Sequence, residues 1–66
     1  MIFLSSLSGN GFYLNDDMIL RIEVLADTMI TMTDGKTMRV KESPEEIIDR
    51  MVAYRRRIYQ GNLEVE

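Results

Sequence analysis

The dipeptide Asp34-Gly35, set between two runs that alternate apolar and polar residues, leaves this chain the fewest folding choices. Thr28-Met29-Ile30-Thr31-Met32-Thr33 and Lys36-Thr37-Met38-Arg39-Val40-Lys41 have the period of two expected of half-buried strands. Asp-Gly between such runs signals a hairpin, and loop length then decides which side chains share a face. A two-residue loop would set Ile30 opposite Arg39 and Met32 opposite Thr37, mixing the faces. A three-residue loop, Thr33-Asp34-Gly35, pairs Met32 with Lys36, Ile30 with Met38 and Thr28 with Val40. Thr37, Arg39 and Lys41 then point the other way. The pattern predicts a type I turn with a bulge, Gly35 taking the left-handed conformation open to a residue without Cβ. Met29 falls on the polar face beside Thr31, either as an incidental apolar residue or as part of a partner surface.

A capped helix should follow. Ser43 is the expected N-cap, Pro44 suits the first helical position, and Glu46 completes a capping box. Acidic Glu45, Glu46 and Asp49 come early and Arg55, Arg56 and Arg57 late, which the helix dipole favours. Gly61 is a plausible stop. On a helical wheel Ile47, Met51, Tyr54 and Ile58 form one apolar seam, and Ile48, Val52 and Tyr59 a second, with Arg55 between them. In one arrangement the helix covers its own sheet while Arg55 snorkels outward along its methylenes. In the other, one seam is given to a second copy of the chain and Arg55 pairs with a carboxylate across that interface.

Size decides how much this matters. Sixty-six residues make one domain with a small core. Chains this short add disulfides, metals or oligomerisation. Cysteine and histidine are both absent, which removes disulfides and the usual zinc sites. A homo-oligomer is therefore expected, with 45% hydrophobic content and six methionines to supply its surface. The net charge of −3 argues against DNA and against acidic membranes, and makes RNA an improbable ligand. Met1-Ile2-Phe3-Leu4 lacks the charged flank of a signal peptide, and no apolar run approaches a membrane span. The chain is expected to be cytoplasmic and not inserted in a membrane.

Before the hairpin, Ile2 to Leu7 reads as a first strand, Ser8-Gly9-Asn10-Gly11 as a turn in which either glycine could carry positive φ, and Phe12-Tyr13-Leu14 as a second strand. Asn15-Asp16-Asp17 should form a tight turn or one helical turn capped by Asn15. Ile19 to Leu25 reads as a third strand, with Leu20, Ile22 and Val24 inward and Arg21 and Glu23 outward. The expected fold is α+β: a small five-stranded antiparallel meander or open barrel-like sheet with one C-terminal α-helix. Residues 1–60 would form the domain, and residues 61–66 an edge strand or a disordered tail. Strand exchange between copies is a further option, because open edges must be paired or protected.

No chemistry stands out. Asp16 and Asp17 are adjacent, and neighbours in an extended chain point apart, so turn formation explains them better than acid–base or cation chemistry. Gly9-Asn10-Gly11 lacks the helix and lysine of a phosphate loop. No catalytic residue, metal ligand or cofactor site is expected. The arginines, with Arg50, suit either a solvated helix face or docking of an acidic partner. Tyr54 and Tyr59 are better interface or core anchors than base-stacking platforms.

The run Asp27-Thr28-Met29-Ile30-Thr31-Met32-Thr33-Asp34-Gly35-Lys36, then Val40-Lys41-Glu42-Ser43 and the Glu-Glu-Ile-Ile start of the helix, resembles the FlbD/SwrD family of small flagellar proteins. The apolar first strand, the Gly-x-Gly-Phe turn, and Leu14-Asn15-x-Asp17 leading to Ile22-Glu23 fit as well. The likeness covers roughly residues 1 to 59. Ser5-Ser6 and the tail beyond Gln60 depart from the pattern, so nothing is inferred there. The resemblance implies a non-enzymatic, cytoplasmic motility factor linked to motor power and to the stator proteins MotA and MotB. The contact surface suggested by the residues themselves comprises Arg50, Arg55, Arg56 and Tyr59 on the helix with Met29 and Arg39 on the sheet. Five short strands and a Glu-Glu-Ile helix also resemble the CsrA family of dimeric RNA-binding regulators. Such proteins read RNA with basic residues on the first and last strands; here the first strand has none.

Overall fold

The computed structural model describes the backbone of residues 1–65 and the side chains of residues 1–58. Five strands precede one helix: β1 (Ile2–Ser5), β2 (Gly11–Leu14), β3 (Ile19–Val24), β4 (Thr28–Met32), β5 (Thr37–Val40) and α1 (Pro44–Val65). β1 and β2 form one antiparallel hairpin, and β3, β4 and β5 a second sheet in that order. The expected single meander or open barrel-like sheet is thus replaced by two sheets. Asn15 is the reason: its side chain accepts the Asp17 N–H at 3.2 Å, and its carbonyl accepts the Met18 N–H at 3.1 Å. These local bonds wind Asp16–Met18 into a 3-10 turn, so β2 and β3 do not become neighbours. The two sheets touch instead through the end of β1, where Ser6 bridges Val40 and Lys41 N–H reaches the Ser5 carbonyl at 2.9 Å.

The β4–β5 hairpin has the register that face matching requires. Ile30 lies opposite Met38 and Thr28 opposite Val40. Gly35 N–H donates to the Met32 carbonyl at 2.9 Å, Met32 N–H to the Lys36 carbonyl at 2.8 Å, and Gly35 sits at φ +90. In the first turn Gly9 carries the positive φ. Gly11 stays bare for another reason, since a Cβ there would run into the Phe3 ring.

β3 departs from simple alternation. Ile19 pairs with Met32 and Arg21 with Thr31, so Leu20 is one residue too many. One extra residue reverses the faces beyond it. Ile19 and Ile22 consequently pack on the core while Leu20 is exposed, a correction to its expected inward place. Val24 is exposed too, although it shares a face with Ile22: it lies beyond the core, lining a shallow cleft with Leu7, Val40, Pro44 and Glu45.

The core is Ile2, Leu4, Leu14, Ile30, Val40 and Ile47, with Met51 and Tyr54 packed against it. The capping box at its edge is complete: Glu46 N–H reaches Ser43 Oγ at 3.2 Å, and Ser43 N–H reaches Glu46 Oε1 at 3.1 Å. Pro44 occupies the first position of α1. The helix runs past Gly61 to Val65, so the expected stop and the expected edge strand beyond it are both replaced by helix. A glycine inside a helix costs only about 1 kcal/mol, and residues 62–66 contain no proline to enforce an end.

Candidate functional site

Alongside Tyr13 on β2 and Leu20, Val24 and Leu25 on and after β3, the exposed flank of α1 is one of several apolar surfaces open to a partner. Its two seams are separated cleanly. Ile47 is fully buried and Met51 and Tyr54 are half-buried, as one stripe over a small sheet should be. Ile48, one residue step round the helix, is 52% exposed, and Val52 is 44% exposed. Ile58 is also exposed, because the helix has by then outrun the core. Tyr59 lies outside the described side chains.

The arginines do not form one surface. Arg50 is half-buried and turned inward: its Nη1 donates to the Phe3 carbonyl at 2.7 Å and lies 3.1 Å from Glu42 Oε2. Glu42 Oε1 in turn accepts the Ser5 N–H at 2.9 Å. Arg50 therefore straps α1 to β1 and to the residue just past β5, while its side chain stays 40% exposed. Burial pushes the Glu42 carboxyl up. Hydrogen bonds to its charged form from the Ser5 N–H, its own N–H and Arg50 outweigh that, and hold it below its ordinary value of 4.5. Nothing in the sequence pattern singled out Glu42; the reach of Arg50 across three elements had no local signature.

Arg55 is also engaged within the chain, at 3.5 Å from Asp17 Oδ1 and 3.9 Å from the buried Asp16. The carboxylate imagined across an interface is thus supplied by the 3-10 turn of the same molecule. Arg56 is exposed on the helix. Met29 and Arg39 are cross-strand neighbours on the opposite face of the β3–β4–β5 sheet. Glu23 pairs with Met29 from the other side, and Arg39 is 3.5 Å from Asp27. The five candidates whose side chains are described therefore divide between a helix flank, a half-buried strap and a sheet face turned away from the helix.

Among the described residues every buried side-chain nitrogen and oxygen has a partner, and no group of three or more carboxylates is placed to hold a metal ion. No helix among them is long and apolar enough to cross a membrane. What remains for recognition is apolar surface on α1, an aromatic pair on the first hairpin, and open strand edges. Phe3 and Tyr13 form that pair edge to face, with centroids 5.1 Å apart, on the side of the helix that carries Arg50, Ala53 and Arg57.

Comparisons with curated proteins and with solved structures find no match. A family model, FlbD, described as flagellar and swarming motility proteins, matches residues 1–59. The matched span takes in both hairpins, the 3-10 turn and the helix through its capped start and core-facing seam. The chain belongs to the FlbD family of flagellar and swarming motility proteins.

Proposed function

We propose that the protein acts by binding, as an oligomeric adaptor on the cytoplasmic side of the flagellar motor that supports the power delivered by its stator. The motility family supports the flagellar half of this reading. The single observation behind the binding half is the exposed row of Ile48 and Val52, beside a seam that already closes the core. The two side chains are already about half covered, so completing their burial is worth roughly 1 kcal/mol each, which a partner can use without the monomer depending on it. An adaptor of this kind works by holding one state of an assembly in preference to another. The RNA-binding alternative draws no support from the geometry, since Arg39 is engaged by Asp27 and β1 carries no basic residue.

The double variant Ile48→Asp/Val52→Asp tests the proposal. Its melting temperature should stay within a few degrees of the parent's, because both positions are exposed. Swimming torque should fall with flagellar number unchanged, and capture of MotA or MotB from detergent-solubilised membranes by the parent protein should be lost. Full torque from the folded double variant would overturn the assignment of this flank.

A further inference from the structure

Among the described residues β3 is the longest strand, six residues, and has β4 as its only neighbour in the sheet. Its other side is an open edge, the kind of surface that natural sheets protect or pair. The Leu25 N–H bonds to the Asp27 carbonyl, which makes Val24 and Thr28 a non-hydrogen-bonded pair of the β3–β4 ladder. By alternation, the N–H and C=O groups of Ile22 and Val24 then point away from β4, toward the open edge.

The side chains along that edge are complementary to themselves. An antiparallel copy centred on Ile22 sets Ile22 opposite Ile22, as a pair that exchanges both its backbone bonds. In the same register Arg21 lies opposite the copy's Glu23, and Glu23 opposite its Arg21. Within one chain these two already share a face, with Arg21 Nε 3.0 Å from Glu23 Oε1. Like charges would guard the edge by repelling a second copy. Opposite charges two residues apart are instead matched by it, twice. In this register Val24 falls opposite the copy's Leu20, the extra residue, so the regular pairing spans Arg21, Ile22 and Glu23 and the bulge ends it at both sides. Of the other edges, β2 has four residues and no charge, and β5 is met at Val40 by Ser6 and carries Arg39 with no acidic residue to match it in a second copy.

We infer that the chain self-associates through antiparallel pairing of β3 with β3 of a second copy, joining two three-stranded sheets into a continuous one of six. The exposed Val24 of each chain then adjoins the seam between the copies. This rests on the oligomeric part of the reading above and not on the identity of the motor partner.

Charge reversal with mixing is the test. The parent protein at micromolar concentration should show twice the mass of one 7.7 kDa chain by light scattering. Arg21→Glu alone and Glu23→Arg alone should each give the mass of one chain, with the circular dichroism of the parent. Mixed in equal amounts they should return to the double mass, because one chain then carries carboxylates at both positions and the other guanidiniums at both. Repair of the internal Arg21–Glu23 pair cannot produce that recovery. A dimeric parent whose single reversals stay dimeric, or whose mixture stays monomeric, overturns the β3 register while leaving oligomerisation intact. A monomeric parent overturns both. Loss of stator capture with dimerisation preserved strikes only the proposed motor role.

Discussion

Gly35 shows how much one position can decide. Its φ of +90 is held in open space, with no atom within 4 Å of where a Cβ would lie. A β-branched side chain there meets backbone strain alone, on the order of 1–2 kcal/mol. Gly35→Val should lower the melting temperature by several degrees, and Gly35→Asn by less, as read by thermal circular dichroism. Arg50 decides as much from the rim of the core. Arg50→Ala leaves the buried Glu42 with one partner fewer and removes the strap to the Phe3 carbonyl, so a loss of about 1–3 kcal/mol is expected. The lowered Glu42 value also sets a sign. The unfolded chain takes up the proton first as pH falls, so this contribution is complete above the ordinary 4.5 and is lost as pH drops through the lower folded value. Urea titrations of the parent across that window should slope more steeply with pH than those of Glu42→Gln.

At the scale of elements, the β4–β5 hairpin and the start of α1 were legible residue by residue. Loop length, face matching and capping are local, so Asp34-Gly35 and Ser43-Pro44-Glu45-Glu46 carry their own instructions. Ser43→Ala should cost about 1 kcal/mol and fray the first turn, visible as faster amide exchange at Glu46 and Ile47. β3 was misread for a complementary reason. Its alternation looked regular, but the residue that slips is chosen by what β4 offers across the ladder, Met32 to Ile19 and Thr31 to Arg21. The division into two sheets was hidden in the same way. Asn15 announced a turn, yet whether β2 and β3 would still pair beyond it depended on where Asp16 and Met18 find their partners.

For the whole molecule, the radius of gyration is 13.2 Å, against about 11 Å for a compact chain of this length. The excess belongs to α1, whose 22 residues extend about 33 Å while its buried stripe is spent by Tyr54. Six core residues leave little margin, and each copy that binds the folded state adds to it. The melting temperature should therefore rise with protein concentration, by several degrees over a hundredfold range, and should stop doing so in Arg21→Glu.

By itself the sequence determined the elements, the hairpin register, the cap and the kinship with flagellar proteins, because each is written in neighbours along the chain. Only the tertiary structure decided that Arg50 faces inward to Glu42, that Arg55 is answered by Asp16 and Asp17, and that Ile48 and Val52 face outward while β3 keeps an open edge. Those outcomes depend on which of several chemically equal groups the packed fold brings within reach. A guanidinium several bonds from its backbone has many carboxylates within reach, and packing chooses among them.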